Sequence, residues 1–310
     1  MLLVSDAPVE YQKIFKDVTE KGERDCSLPL YFSSSAFSDS VPSEVYEPRF
    51  LYVMQEEYCI VSSKDSSIKC IGTSESTTCH MIILFFAETV LLAHTGIQDY
   101  NALELMVSRF LTDANATEAS KVDLYLVGGY DDNSGVSFDL LNFLLHYFAK
   151  HKTRFNLKLI CCGLFNSREQ SFYHLPKVTG VLVDIDAKKV LRCQINKDQR
   201  GPVPILRHIW LYSSFGLKAI YNSKNGCVVL PMFKITLPAK FKLLEVIDDE
   251  YALSIFSTSP EAESDCFITE LREMYGFVKD CIKKKIDPFK GKERLCFKTE
   301  TDGKWIECDA

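Results

Sequence analysis

Ser76-Thr77-Thr78-Cys79-His80-Met81-Ile82-Ile83-Leu84-Phe85-Phe86-Ala87-Glu88-Thr89-Val90-Leu91-Leu92-Ala93-His94 is the stretch on which the reading of this chain turns. Met81 to Phe86 is apolar throughout, Ala87-Glu88-Thr89 is the polar break, and Val90 to Ala93 is apolar again, a pattern that predicts two strands joined by a tight turn. With the turn centred between Phe86 and Ala87, Cys79 stands directly opposite His94 on one face, where the Cβ atoms of paired residues lie about 4.5–5.5 Å apart. A centre one residue later makes the pair diagonal, which long side chains still bridge, and a centre at Glu88 separates the two further; the register stays open at this point. A cysteine and a histidine facing each other across paired strands are the minimum for thiol chemistry on a carbonyl. The competing reading is a core cysteine, because free cysteine is among the most buried residue types. His80 alternates to the opposite face from Cys79 and is the poorer partner.

Composition narrows the class. The chain has 310 residues, 46% hydrophobic and 25% charged, enough for one large core or two closely packed lobes. Its net charge is −6, and Lys283-Lys284-Lys285 is a short run better explained as a solvated helix end than as a phosphate-binding patch, so nucleic acid is not an expected partner. Met1-Leu2-Leu3-Val4 is too short and lacks the basic flank of a signal peptide, and no window approaches the ~18 apolar residues of a membrane span. No membrane partner is expected, and the cytoplasm, with the nucleus open to it, is the expected location. The 12 cysteines are scattered without export signals and should mostly be reduced thiols. No Cys-x-x-Cys is present and the histidines are isolated, so neither a metal nor another cofactor is expected.

From Phe50 the chain runs through short apolar segments (Phe50 to Met54, Tyr58 to Ser62, Ile68 to Gly72, then the Cys79 hairpin), which predict strands in one antiparallel sheet, with Lys64-Asp65-Ser66-Ser67 as a turn. Tyr11 to Lys21 predicts a short helix ended by Gly22, and Ser33 to Ser43 a loop. Leu103, Met106, Val107 and Phe110 mark a helix over Asn101 to Leu111, and Phe138, Leu141, Leu144, Leu145 and Phe148 another over Ser137 to Ala149. Asp123 to Val127, Leu157 to Cys162, Val178 to Ile185 and Val190 to Ile195 read as strands, further short strands lie between Lys218 and Phe233, Phe241 to Asp249 is open, and a last helix covers Glu263 to Lys285. Strands grouped with strands and helices packed outside them predict an α+β fold of layered, mostly antiparallel sheets. No repeat or linker divides the chain.

Several chemistries lose support. There is no Gly-x-Gly-x-x-Gly after a strand, no Walker loop, no His-Glu-x-x-His and no Gly-x-Ser-x-Gly elbow, and Gly128-Gly129 reads as a strand-to-loop turn. The thiol remains. A cysteine beside a histidine can be deprotonated and attack an acyl or amide carbon. The resulting oxyanion needs donors, for which the backbone around Cys79 and the hydroxyls of Thr73, Ser76, Thr77 and Thr78 are nearest. Thr73, on the strand leading into the cysteine loop, is the candidate to orient His94. Each hydroxyl has a plain alternative as a turn or strand hydrogen-bonder.

These residues carry a resemblance. Ser76-Thr77-Thr78-Cys79-His80, preceded by Ser63-Lys64-Asp65 and Ile71-Gly72, resembles the nucleophile region of the protein N-terminal asparagine amidohydrolases. Matching segments continue through Leu126-Val127-Gly128-Gly129-Tyr130, Asn166-Ser167-Arg168-Glu169, His174-x-Pro176, Gly180-Val181 and Ser257-Thr258-Ser259-Pro260, so that the resemblance covers a single domain at 46–310, with the segment 1–45 poorly matched. It implies an acyl-enzyme amidase converting an N-terminal asparagine to aspartate, with Cys79 as nucleophile, His94 as acid and base, and the layered fold of chemoreceptor deamidases and necrotizing-factor toxins. In that fold a threonine six residues before the cysteine orients the histidine, a spacing that again lands on Thr73. Animal members begin Met-Pro, whereas this chain begins Met1-Leu2, so no role of a processed N-terminal proline carries over.

The resemblance makes the expected partners proteins or peptides with a free N-terminal asparagine and places the product in the arginylation branch of N-terminus-dependent degradation. Restriction to a chain terminus requires a group for the α-ammonium, for which Asp131 and Glu169 are candidates, each with the alternative of a plain surface charge. Two other readings are a side-chain deamidase acting on internal glutamine or asparagine, and a non-catalytic binding module in which Cys79 is core. Unusually fast alkylation of Cys79, lost on His94→Ala, would separate the enzymes from the module.

Overall fold

The computed structural model describes residues 1–20, 29–45 and 47–309. Its centre is an eight-stranded sheet in the order β14 (Lys218–Ala219), β4 (Glu57–Ser62), β7 (Thr89–Thr95), β6 (His80–Phe86), β8 (Lys121–Gly128), β9 (Arg154–Cys161), β1 (Leu2–Val4), β2 (Ala7–Pro8). Strands β6 and β7 are buried on both faces over nearly their whole length because both faces are covered, whereas β8 alternates buried with partly exposed residues over Lys121 to Tyr125. Ile82 and Leu84 pack with Leu91 and Ala93 against the helices α1 (Tyr11–Thr19), α3 (Tyr100–Asp113) and α4 (Val136–Lys150). Met81, Ile83, Val90 and Leu92 face the other way, into a second core.

That second core is closed by two smaller sheets and two helices. One sheet has the order β13 (Lys189–Arg192), β12 (Val181–Asp184), β5 (Cys70–Thr73), β3 (Phe50–Tyr52); the other runs β15 (Tyr221–Asn222), β16 (Cys227–Pro231), β17 (Arg294–Thr299), β18 (Trp305–Cys308). The helices are α5 (Pro204–Ser213) and α7 (Phe267–Lys284), which bury Ile209, Trp210, Leu271 and Met274. The fold is therefore α+β and mostly antiparallel, with parallel ladders at β14–β4, β8–β9, β9–β1 and β3–β5. The hairpin β10 (Ser167–Gln170) and β11 (Tyr173–Pro176) stands as its own small sheet.

Three expectations are corrected. The strands from Phe50 onward do not form one antiparallel sheet: β3 and β5 pair parallel in the four-stranded sheet, while β4, β6 and β7 belong to the central one. The reason is that each sheet needs its own apolar face to cover the shared core, which a run of strands in sequence does not reveal. Ser33 to Ser38 is the end of a helix, α2 (Pro29–Ser38), not a loop. Ser34 is buried, and its hydroxyl accepts the Ile160 N–H at 3.2 Å, so small side chains here bring the helix against β9. In α4, Leu140 is buried where Phe138 was expected, Phe138 being only half-buried. Gly22, expected to end the first helix, lies outside the described residues.

The second core also contains a buried ion pair. Arg207 on α5 donates to Glu57 on β4 at 3.0 Å and 2.5 Å and to the Tyr52 carbonyl of β3 at 2.6 Å, joining a helix to strands of both sheets. Both side chains are almost wholly shielded, with 0% and 2% exposure. Removing one partner leaves the other charge buried, so Glu57→Gln is expected to cost about 3–5 kcal/mol. A urea denaturation midpoint unchanged from wild type would refute this account of the pair.

Candidate active site

Strand β5 ends at Thr73, and the chain then crosses from the four-stranded to the central sheet through 74–78 before entering β6 at His80. Cys79 is the last residue of that crossing. Its carbonyl accepts the Ser76 hydroxyl and the Gly129 N–H, each at 2.8 Å. Gly128 and Gly129 have φ of 103° and 59°, and a Cβ on Gly128 would lie 2.6 Å from the Cys79 oxygen. The paired glycines thus let one backbone close on another where a side chain would hold them apart. The Thr78 hydroxyl lies 2.9 Å from that of Thr258, tying the crossing to the segment after α6 (Asp249–Phe256).

The hairpin register differs from direct opposition of Cys79 and His94. Phe86 pairs with Thr89 across a two-residue turn, Ala87-Glu88, in which Ala87 takes φ of 50°, so His94 stands opposite Met81. Extending the ladder by two places sets Cys79 over Gly96, where an added Cβ would meet its sulfur at 2.9 Å. Cys79 and His94 are therefore diagonal neighbours on one face, the alternative that a later turn centre provides. Thr73, from the other sheet, lies 2.7 Å from His94 Nδ1, while His94 Nε2 is buried with no partner. His80 takes the opposite face, its ring against Gly129.

Burial dominates the electrostatics. It lowers the His94 pKa to about 4 and that of His80 to about 3, and it raises the Cys79 thiol, which Glu56 and then Glu263 push up further. The resting pair is thus a neutral thiol and a neutral imidazole. When Nδ1 carries the proton and donates to Thr73, Nε2 is left as the base.

Cys79, His94, Thr77 and Thr78 line a cavity of about 340 Å³ that also takes in Gln55, Glu56, Ser257 and Glu263. Glu56 sits at φ of 58° and accepts the Gly96 N–H at 2.7 Å and the Thr95 hydroxyl at 3.2 Å. Glu263 accepts the Ser257 hydroxyl at 2.5 Å. Burial raises each carboxyl to about 7. Gln55 Nε2 approaches the same point above Gly96 as the sulfur, 3.4 Å from where a Cβ would stand.

The expected residues divide by place. Thr77 and Thr78 reach the cavity, but Ser76 is fully buried beneath the crossing and holds the Cys79 carbonyl rather than facing a ligand. Asp131 and Glu169 are not on the cavity wall: they flank His174 of β11, at 2.9 Å and 3.8 Å. Composition could not separate these surface carboxylates from Glu56 and Glu263. The signal that could have found Glu56 is its position between two apolar runs, at Met54-Gln55-Glu56-Glu57.

Metal-ligating atoms come together at Glu75, Cys266 and Glu270, within 4.8 Å of one another. Arg200 already bridges Glu75 at 2.6 Å and Glu270 at 3.4 Å, and Lys197 bridges Glu270 at 2.8 Å, so both carboxylates have cationic partners in the protein itself. All described cysteines are free thiols.

Two outcomes follow from this geometry. Thr73→Val leaves the buried His94 Nδ1 unpaired and is expected to cost on the order of 1–3 kcal/mol, measured by chemical denaturation; wild-type stability would show that the hydrogen bond is not formed in solution. Below the unfolded histidine pKa of about 6.5 the unfolded chain takes up protons that His80 refuses until about 3. Its contribution to stability is thus lost as pH falls from about 6.5, against an opposite trend from Glu56 and Glu263 between about 7 and 4.5. His80→Leu should lose less stability than wild type between pH 6.5 and 4, and parallel curves would contradict the His80 environment.

Sequence comparisons place the chain in a family. Residues 40–307 match the profile described as protein N-terminal asparagine amidohydrolase. Proteins of that name are similar to this chain at 29% identity in Mus musculus, covering 82% of this chain and 83% of the relative, and at 27% in Homo sapiens with the same coverage. The Arabidopsis thaliana protein of that name is 23% identical over 88% of this chain and 85% of its own length. The chain belongs to the protein N-terminal asparagine amidohydrolase family.

Proposed function

We propose that this protein hydrolyses the side-chain amide of an N-terminal asparagine, giving N-terminal aspartate and ammonia through a thioester on Cys79. The observation that carries the reading is the convergence of Cys79, a His94 ring with Nδ1 held by Thr73 and Nε2 unpartnered, and the buried carboxyls of Glu56 and Glu263 in one cavity. The names borne by the relatives point to the same reaction.

The thiol proton passes to His94 Nε2 as sulfur attacks the carboxamide carbon, and Thr73 supports the imidazolium by accepting from Nδ1. Negative charge collects on the amide oxygen, for which the Gln55 amide and the backbone N–H groups at Thr78 and Cys79 are the donors. His94 returns the proton to the leaving nitrogen and ammonia departs. It then takes a proton from water, whose oxygen attacks the thioester and regenerates the thiol. One amide and one water are consumed, and one carboxylic acid and one ammonia are formed.

The terminal restriction falls to Glu263, in place of Asp131 and Glu169. Glu56 is fastened by a backbone N–H and a hydroxyl, whereas Glu263 is held by one serine and is pushed up to about 7 by burial, with Glu75 and Glu261 adding to the shift and no cation offsetting it. A substrate α-ammonium supplies that cation. The product, with an N-terminal aspartate, is a substrate for arginylation and so for N-terminus-dependent degradation. The reaction uses no cofactor, nucleic acid or membrane, and the cytoplasm, with the nucleus open to it, is where such substrates arise; among the described residues no helix is long and apolar enough to cross a membrane.

Asn-initiated peptides should be converted to Asp-peptides with ammonia release, Gln-initiated peptides little, because the extra methylene takes the carbonyl out of register with Cys79, and acetyl-Asn peptides not at all. Comparable rates on all three would favour a general deamidase. Cys79→Ala should lower turnover by ~10³-fold or more with the fold intact, and normal turnover would exclude Cys79 as nucleophile. Glu263→Gln should raise KM roughly 10- to 100-fold, the worth of a charge-assisted hydrogen bond, and remove an acid limb of kcat/KM near pH 7 where Glu263 gains its proton. A larger loss in Glu56→Gln with an unchanged acid limb in Glu263→Gln would reassign the ammonium site.

A further inference from the structure

Three free thiols share one face of the sheet β15–β16–β17–β18. Along β17, Leu295 and Phe297 enter the second core, so Cys296 between them points to the other face. Cys308 of β18 stands directly opposite Cys296 and shares that face. On β16, Val229 pairs with Cys296, which sets Cys227 diagonal to it, and the Cys227 and Cys296 thiols hydrogen-bond. Directly opposed residues of an antiparallel pair have Cα atoms about 4.5–5.5 Å apart, inside the ~4.4–6.8 Å that a disulfide spans.

The three thiols differ in access. Cys227 and Cys296 are each 2% exposed, whereas Cys308 is partly exposed on the edge strand, which pairs with β17 alone. A reagent arriving from solvent therefore meets Cys308 first, with Cys296 directly behind it. Burial raises the Cys296 thiol and Cys308 raises it further, while Arg294, the hydrogen bond from Cys227 and Lys292 act the other way. A small thiolate fraction suffices for attack on a neighbour already held at bonding range. Cys266, the other partly exposed thiol among the described residues, lies instead beside Ser264, Lys197 and the carboxylates of Glu75 and Glu270, none of which can resolve a mixed disulfide.

We propose that Cys308 and Cys296 form a modification site for small disulfides of the glutathione class, which closes into a disulfide between β18 and β17. The Cys308 thiolate attacks one sulfur of glutathione disulfide, the S–S bond breaks, and one glutathione thiolate leaves. The Cys296 thiolate then attacks the Cys308 sulfur and displaces the second glutathione. Two protein thiols are oxidised to one disulfide, one glutathione disulfide is reduced to two thiols, and the cysteine protons end on the leaving groups. The new bond ties the edge strand to β17, whose Leu295 and Phe297 cover the second core. It also holds Trp305 of β18 against Gly201, where an added Cβ would lie 2.9 Å from the ring. Closing this loop restricts the unfolded chain and so favours the fold. The site is independent of the reaction proposed at Cys79.

The test treats the full chain, reduced beforehand, with glutathione disulfide, then quenches in acid and reads intact mass and disulfide-linked peptides. The expected result is a Cys296–Cys308 cross-link that dithiothreitol reverses. Cys296→Ala should stop at a stable glutathione adduct on Cys308, Cys308→Ala should lose both adduct and cross-link, and Cys227→Ala should keep the cross-link. The oxidised protein should unfold at a higher urea midpoint than the reduced one, with Cys308→Ala treated in the same way as the control for modification elsewhere. Peptide mapping of the unsubstituted chain decides the matter even where a variant folds poorly. No reaction at Cys308, an adduct there that never resolves, or a cross-link that uses Cys227 would overturn the site. An unchanged or lower urea midpoint on oxidation would overturn the tying of β18.

Discussion

The hydrogen bond between Thr73 and His94 joins the last residue of a strand in one sheet to a residue near the end of a strand in another, at 2.7 Å. Everything else in the site depends on that crossing. Because Thr73 and Cys79 are separated only by 74–78, fixing Thr73 on His94 forces the chain to reach the central sheet in five residues and to deliver Cys79 beside the same ring. The crossing is then secured from outside by Ser76 and Gly129 on the Cys79 carbonyl and by Thr258 on Thr78. A short segment held at both ends and in the middle has little freedom to lose when a ligand binds, which is what a preorganised Cys79 means physically.

The same burial that fixes the geometry keeps the Cys79–His94 pair neutral. A solvated cysteine beside a histidine can exist as a thiolate–imidazolium pair, but here desolvation raises the thiol and lowers the imidazole, and two nearby carboxyls act against the anion. In the reaction proposed above, proton transfer from sulfur to His94 therefore belongs with carbonyl attack and does not precede it. A thiol held neutral in this way is expected to alkylate slowly in the absence of a ligand, contrary to the fast alkylation expected from the Cys–His pairing alone, so that reactivity becomes conditional on a ligand that changes the local field.

Much of this arrangement was legible in the sequence, and the parts that were not share a cause. The apolar runs either side of Ala87-Glu88 gave the hairpin, the three-and-four spacing gave α3 and α4, and strand alternation placed His80 away from Cys79. The turn centre was uncertain because Ala87 at positive φ has no glycine or asparagine to announce it. The assignment of β3 and β5 to a separate sheet, the helix at Ser33 to Ser38, and the carboxylates of Glu56 and Glu263 all depend on which surfaces meet after folding. A charged residue carries no local mark of later burial. Asp131 and Glu169 sit on His174, whereas Glu263, which nothing in the sequence marks as a candidate, stands on the cavity wall.

On the reading proposed here, binding and activation are one event. Unit charges about 6 Å apart at an effective dielectric constant near 20 interact by roughly 3 kcal/mol, equivalent to about two pKa units. When a substrate α-ammonium settles on Glu263, the smaller push of that carboxylate on the Cys79 thiol is cancelled while those of burial and Glu56 remain, and the ammonium itself favours the developing sulfur anion. A peptide with a blocked terminus occupies the cavity without that charge and leaves the thiol protonated. Terminal selectivity then has two layers: the blocked ligand lacks a partner for Glu263, and it also fails to bring the nucleophile to its reactive state. Neither layer requires movement of the backbone, in keeping with a crossing segment that is held along its whole length.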